Sequence, residues 1–136
     1  MCLVSSDAEG HIIGCAVLAW CVPDATLPAP WPSGKPQRLY LSNMAVAPSW
    51  RRRGLATALL AAAERLARAW GETAIWLHVD EVNANGRKLY EASGFTLQDE
   101  DPFWVLPPKR KLLLSKNIGR AGQGGAVQPR GRNALS

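Results

Sequence analysis

Arg51, Arg52 and Arg53 stand directly before Gly54 and an Ala/Leu-rich run, so three cations crowd the start of a predicted helix. This placement opposes the helix macrodipole, which favours carboxylates at an N-terminus by roughly 0.3–1 kcal/mol. A bound polyanion resolves the conflict. Free N–H groups converge at a helix start, and Gly54 and small Ala56 let phosphate oxygens approach the backbone. Each arginine that engages would add about 1.5–3 kcal/mol. The competing reading is a solvated cationic turn with Gly54 as punctuation. No Lys-Ser or Lys-Thr follows the glycine, so the segment is not a Walker-type loop. A second group able to do chemistry, His78, Asp80 and Glu81, closes a β-rich run, and Tyr90 follows in a helical segment. Acids and imidazole accept protons, whereas a phenol with pKa near ~10 donates one. Each also has a structural alternative: helix-start charge for the acids, packing for His78 and Tyr90.

The elements that must position these residues follow from periodicity. Residues 3–4 and 12–22 read as a hairpin around the polar turn 5–10, and 38–46 ("RLYLSNMAV") as a third strand stopped by Pro48. Residues 23–37 carry five prolines and little periodicity, which predicts a loop. From Gly54 or Leu55 to Trp70, the residues Leu55, Leu59, Leu60, Ala63, Leu66, Ala67 and Trp70 form one apolar stripe. Glu64, Arg65 and Arg68 fall off it, and Gly71 stops the helix. Residues 73–79 predict a strand, and 83–93 a second helix with Asn83 as N-cap and Gly94 as terminator. Strands at 95–98 and 111–114 then flank an acidic turn at Asp99-Glu100-Asp101. The order is β-β-β-α-β-α-β-β, and its central β-α-β demands a parallel pair.

Composition narrows the classes. The 136 residues suffice for one domain with a core, 47% hydrophobic and 20% charged. The formal charge of +5 is uneven: residues 1–116 hold 13 basic and 11 acidic side chains, and the rest is basic. A near-neutral body with one arginine cluster argues against a nucleic-acid binder. Cys2, Cys15 and Cys21 show no ligand spacing, so reduced, mostly buried thiols and no metal site are expected. No apolar run reaches the ~18 residues of a membrane span. Residues 117–136 are Gly-rich and basic, and are expected to be a disordered tail beyond a 1–116 domain.

Two segments carry a resemblance to a known family. "RRRGLA", after a strand ending "MAVAP", resembles the Gln/Arg-x-x-Gly-x-Gly/Ala pyrophosphate loop of the GCN5-related N-acetyltransferases. "NANGRKLYEASGF" is similar to that family's Asn-x-x-Ala-x-x-Leu-Tyr-x-x-x-Gly-Phe motif, with Gly86 where alanine is usual. The resemblance covers residues 1–116 and is strongest toward plastid-type members of plants and algae. It implies an α/β (α+β) fold with a mixed, mostly antiparallel sheet and a splayed parallel β-α-β centre. It also implies acetyl-coenzyme A as co-substrate, and transfer to a primary amine by direct attack in a ternary complex.

Carried over residue by residue, the resemblance assigns cofactor binding to Met44, Ala45, Val46, Arg51, Arg52, Arg53, Gly54, Leu55, Ala56, Thr57, Asn83 and Tyr90. A backbone N–H near Met44 or Ala45 would stabilise the tetrahedral oxyanion. Tyr90 would protonate the departing thiolate. Asn83 would bond the cofactor arm, or cap its helix, or both. For the base, Glu81 or Asp80 acting through water is preferred, with His78 the third candidate; the family's usual acidic strand position holds Ser42 or Asn43 here. The acceptor, a protein α-amine, a lysine or a small amine, stays open.

A family domain begins with a strand and two helices ahead of the first hairpin, so the sequence reads as N-terminally short. An uncovered sheet face would then invite self-association. A coenzyme A-binding module without turnover is the alternative function, and a nucleic-acid binder a weaker one. The expected compartment is the cytoplasm, or the plastid if a transit peptide precedes the sequence.

Overall fold

The computed structural model describes residues 1–21, 37–102 and 104–119. Its elements are β1 (Cys2–Ser6), β2 (Ile12–Cys21), β3 (Arg38–Val46), a 3-10 turn (Pro48–Trp50), α1 (Leu55–Ala69), β4 (Ala74–Asp80), α2 (Ala84–Ala92), β5 (Thr96–Glu100) and β6 (Lys111–Asn117). The predicted order of elements is found. The strands form one sheet in the order β1-β2-β3-β4-β6-β5, mostly antiparallel with β3 and β4 parallel. No helix among these residues is long and apolar enough to cross a membrane. The proline-rich 23–36 stretch lies outside the described residues.

Strand alternation decides the faces. Ile75, Leu77 and Val79 of β4 join Leu39 and Leu41 of β3, Ala16 and Leu18 of β2, and Leu112 and Leu114 of β6 in one core. The stripe of α1 covers it with Leu60, Ala63 and Ala67, each at most 2% exposed. Leu89, Tyr90 and Phe95 seal it from α2 and the turn that follows. Trp76, His78 and Asp80, at the intervening positions of β4, therefore face the other side of the sheet.

Two expectations need correction. The thiols are not mostly buried: Cys2 and Cys21, near strand ends, are exposed and Cys15 is half-buried. Asp99 and Glu100 belong to β5 rather than to a turn. All five β5 residues are exposed at the sheet edge, where carboxylates stay solvated and discourage further strand pairing. Glu64, off the apolar stripe, is 9% exposed, 2.6 Å from Lys116 Nζ and 3.4 Å from an Arg68 guanidinium nitrogen. Arg68 Nε also donates to the Ile118 carbonyl at 2.9 Å, so this cluster ties α1 to the end of β6. Asn117 closes β6 and Ile118, 5% exposed, sits in the core.

Candidate active site

The parallel pair of β3 and β4 is brief. Register is recorded only at Tyr40↔Trp76, and toward their carboxyl ends the strands go unpaired. The cause is visible in β3. Cys15↔Ala45 is followed by Val17↔Ser42, so Ala16 faces both Asn43 and Met44 across a β-bulge. Asn43 takes a left-handed conformation with φ 50°, which asparagine tolerates better than most residues. The extra residue flips the alternation. Leu39 and Leu41 face the core before it, and Met44 packs on the core after it, with Ala45 exposed and Val46 half-buried. Bulges bend and twist a strand, and here β3 turns from β4 to leave a wedge edged by main-chain groups.

Both strands run in the same direction, so α1 and α2 start at the same end of the sheet. That end is where open α/β sheets place their ligands. The chain reaches α1 through the arginine loop. Arg51 Nε donates to the Val46 carbonyl at 3.1 Å, the Arg53 guanidinium lies 5.0 Å from the Trp50 ring centre, and Arg52 has φ 61°. All three arginines are exposed. Gly54 is the N-cap with φ 77°, and a Cβ placed there would meet nothing within 4 Å. No side chain caps α1, and none of its first-turn residues is acidic. The first-turn N–H groups of Leu55, Ala56 and Thr57 therefore face open space framed by cations. These residues fit a pyrophosphate.

Asn83 caps α2, its Oδ1 accepting the Gly86 N–H at 2.9 Å. This accounts for the glycine where the motif expects alanine: a Cβ at 86 would lie 2.6 Å from Asn83 Nδ2. Tyr90, half-buried on α2, meets Phe95 edge to face with ring centres 5.8 Å apart. Burial raises its phenol pKa, which keeps the proton in place as a donor.

The base candidates separate clearly. Glu81 is engaged: its carboxylate lies 3.7 Å from Arg110 Nε, and Arg110 also reaches Glu100 at 3.2 Å. Asp80 is exposed and pairs in register with Lys111. His78 stacks on Tyr40 with ring centres 5.5 Å apart and planes 19° from parallel. The residue is exposed overall, but partial desolvation of the stacked ring, then the Lys111 charge, lower its pKa below the ordinary imidazole value, against an opposing pull from Asp101. His78 lies two residues beyond the last β3–β4 pair. Elsewhere, Asp7, Glu9 and His11 bring potential metal ligands within 4.8 Å on the β1–β2 turn. There one Asp7 oxygen already accepts the Glu9 and His11 N–H groups.

A splayed parallel pair thus carries a cation-framed helix start on one strand's exit and a capped tyrosine helix on the other's. The Acetyltransferase (GNAT) family profile matches residues 1–95, and the chain belongs to that family. It is 36% identical over 88 residues to GCN5-related N-acetyltransferase 10, chloroplastic, of Arabidopsis thaliana, covering 62% of this chain and 34% of that protein. GCN5-related N-acetyltransferase 4, chloroplastic, of the same plant is 48% identical over 56 residues, 41% of this chain and 19% of that one. The matches thus span about a third or less of these relatives. Among solved structures, the ribosomal-protein-S18-alanine N-acetyltransferase of Escherichia coli superposes with a TM-score of 0.64 at 24% identity, over 88% of this chain and 70% of that one. At that identity the likeness establishes the fold.

Proposed function

We propose that this chain transfers an acetyl group from acetyl-coenzyme A to a primary amine by direct attack in a ternary complex. The observation that carries the reading is the β3–β4 wedge beside an uncapped, arginine-framed start of α1. The first-turn N–H groups of α1, with Arg51, Arg52 and Arg53, bind the pyrophosphate. The unpaired edge of β3 from Met44 to Val46 receives the pantetheine arm, and Asn83 has its Nδ2 left to donate to that arm while Oδ1 caps α2.

The amine nitrogen attacks the thioester carbonyl carbon, and its proton passes through water to the acceptor-side base. His78 serves best, since its lowered pKa favours the neutral, proton-accepting imidazole, whereas Glu81 shares an ion pair with Arg110. The oxyanion is met by a β3 N–H near Met44, a donor worth a few kcal/mol in comparable sites, about 3. As the C–S bond breaks, Tyr90 gives its proton to the thiolate. Nothing in these contacts selects among an α-amine, a lysine and a small amine. The chloroplastic relatives support a plastid compartment.

Thermal unfolding with acetyl-coenzyme A, 3′-dephospho-coenzyme A and pyrophosphate tests the site. Ligand at about 100 times Kd adds about 2.7 kcal/mol, or several degrees. No shift with the coenzyme defeats the reading. Binding without release of coenzyme A thiol to any amine would leave a binding module.

A further inference from the structure

The bulge raises the question of what fixes its peptide planes. Cys15 lies on β2 beside it. Its neighbours Ala16 and Leu18 point into the core, so the alternation sends Cys15 to the opposite face, the face that carries His78. There the thiol donates to the Asn43 carbonyl oxygen at 3.5 Å. That carbonyl and the Met44 N–H belong to one trans peptide, in which C=O and N–H point in opposite directions. A carbonyl drawn toward β2 leaves the Met44 N–H directed to the other side of β3, where β4 has departed. The same peptide follows a residue with φ 50°, so its orientation is not set by ordinary strand geometry.

We propose that the Cys15 thiol is a positioning residue: by holding the Asn43 carbonyl, it aims the Met44 N–H at the acetyl carbonyl in the wedge. The inference rests on the acetyl-transfer reading and adds to it the group that orients the oxyanion donor. A single S–H···O contact contributes little to global stability, because sulfur is a weak donor. Its effect falls on the chemical step, where a donor aimed less well gives up part of its value.

The sequence offers a clean probe. Met1 and Met44 are its two methionines, and the terminal ammonium of Met1 exchanges too fast to be seen, so selective 15N-methionine labelling reports the Met44 amide alone. In the wild-type chain, acetyl-coenzyme A should shift this signal beyond the shift caused by coenzyme A, which lacks the carbonyl. Cys15→Ala should abolish that difference while coenzyme A affinity stays within about twofold, and Cys15→Ser, a stronger donor, should restore it. With an accepting amine, turnover of Cys15→Ala should fall by about three- to tenfold at unchanged KM for acetyl-coenzyme A, and return in Cys15→Ser. Equal responses in the wild type and Cys15→Ala, with both ligands bound, overturn the inference alone. Absence of any response to either ligand overturns the cofactor site itself.

Discussion

Replacing Gly54 by glutamate tests the anion site most sharply, because the backbone and ligand effects of the change are separable. Gly54 holds φ 77° with open space around its missing side chain, so no atom of the protein is displaced. The left-handed conformation costs a residue with a Cβ roughly 1–2 kcal/mol. A carboxylate at a helix start returns roughly 0.3–1 kcal/mol. The net loss of about 1 kcal/mol should lower Tm by roughly 3–6 °C in a domain of this size. Binding suffers far more. A carboxylate about 5 Å from a phosphate charge is repelled by about 3 kcal/mol at an effective dielectric near 20, at least a hundredfold in Kd. Calorimetric titration with coenzyme A should show this loss, and higher salt should partly relieve it. Gly54→Asn supplies the control, since asparagine accepts the same backbone angle without the charge. It should retain affinity to within about tenfold. A Gly54→Glu chain that folds and binds within threefold of the wild type would refute the placement of the pyrophosphate at α1.

Other consequences follow from the geometry. Tyr90→Phe keeps the ring against Phe95 but removes the proton, so turnover should fall at least about tenfold with coenzyme A affinity little changed; an unaltered rate removes Tyr90 from the mechanism. His78 has a lowered pKa, so protonation favours the unfolded chain. Its contribution to stability is intact above the ordinary imidazole value and is lost as pH falls through the folded one. Tm measured against pH should flatten in this window in His78→Gln, and the rate should lose its acid-side inflection there. Lys116→Ala strands the buried Glu64 with Arg68 alone, and should destabilise by about 2–4 kcal/mol, whereas Glu64→Gln with Lys116 retained should lose less. Ile118→Ala should remove about 2–4 kcal/mol as a core truncation. Urea unfolding checks both.

Much of the site was legible because its signals are local. Helix starts and stops are written in a few neighbouring residues, so Gly54, Asn83, Gly71 and Gly94 marked the ends of α1 and α2 and thereby the arginine loop and the tyrosine helix. The surroundings of the base candidates were less legible. Glu81 and Asp80 stand at a strand end like any pair of acids; what distinguishes Glu81 is Arg110, which arrives from beyond β5. His78 owes its lowered pKa to desolvation and then to Lys111, and its stacking partner Tyr40 stands 38 positions earlier in the sequence. The burial of Glu64 was not legible either, because its partner Lys116 comes from β6, 52 positions on.

The sequence by itself therefore determined the family, the order of strands and helices, and the cation-rich helix start, since periodicity, caps and short motifs act over one or two turns of chain. Tertiary structure decided what no local pattern encodes. It placed β6 between β4 and β5. It set the bulge opposite Ala16 that opens the wedge, and it gave each titratable group its partner. Pairing across a sheet joins residues far apart in sequence, and a one-residue offset in that pairing reverses which face every later side chain takes.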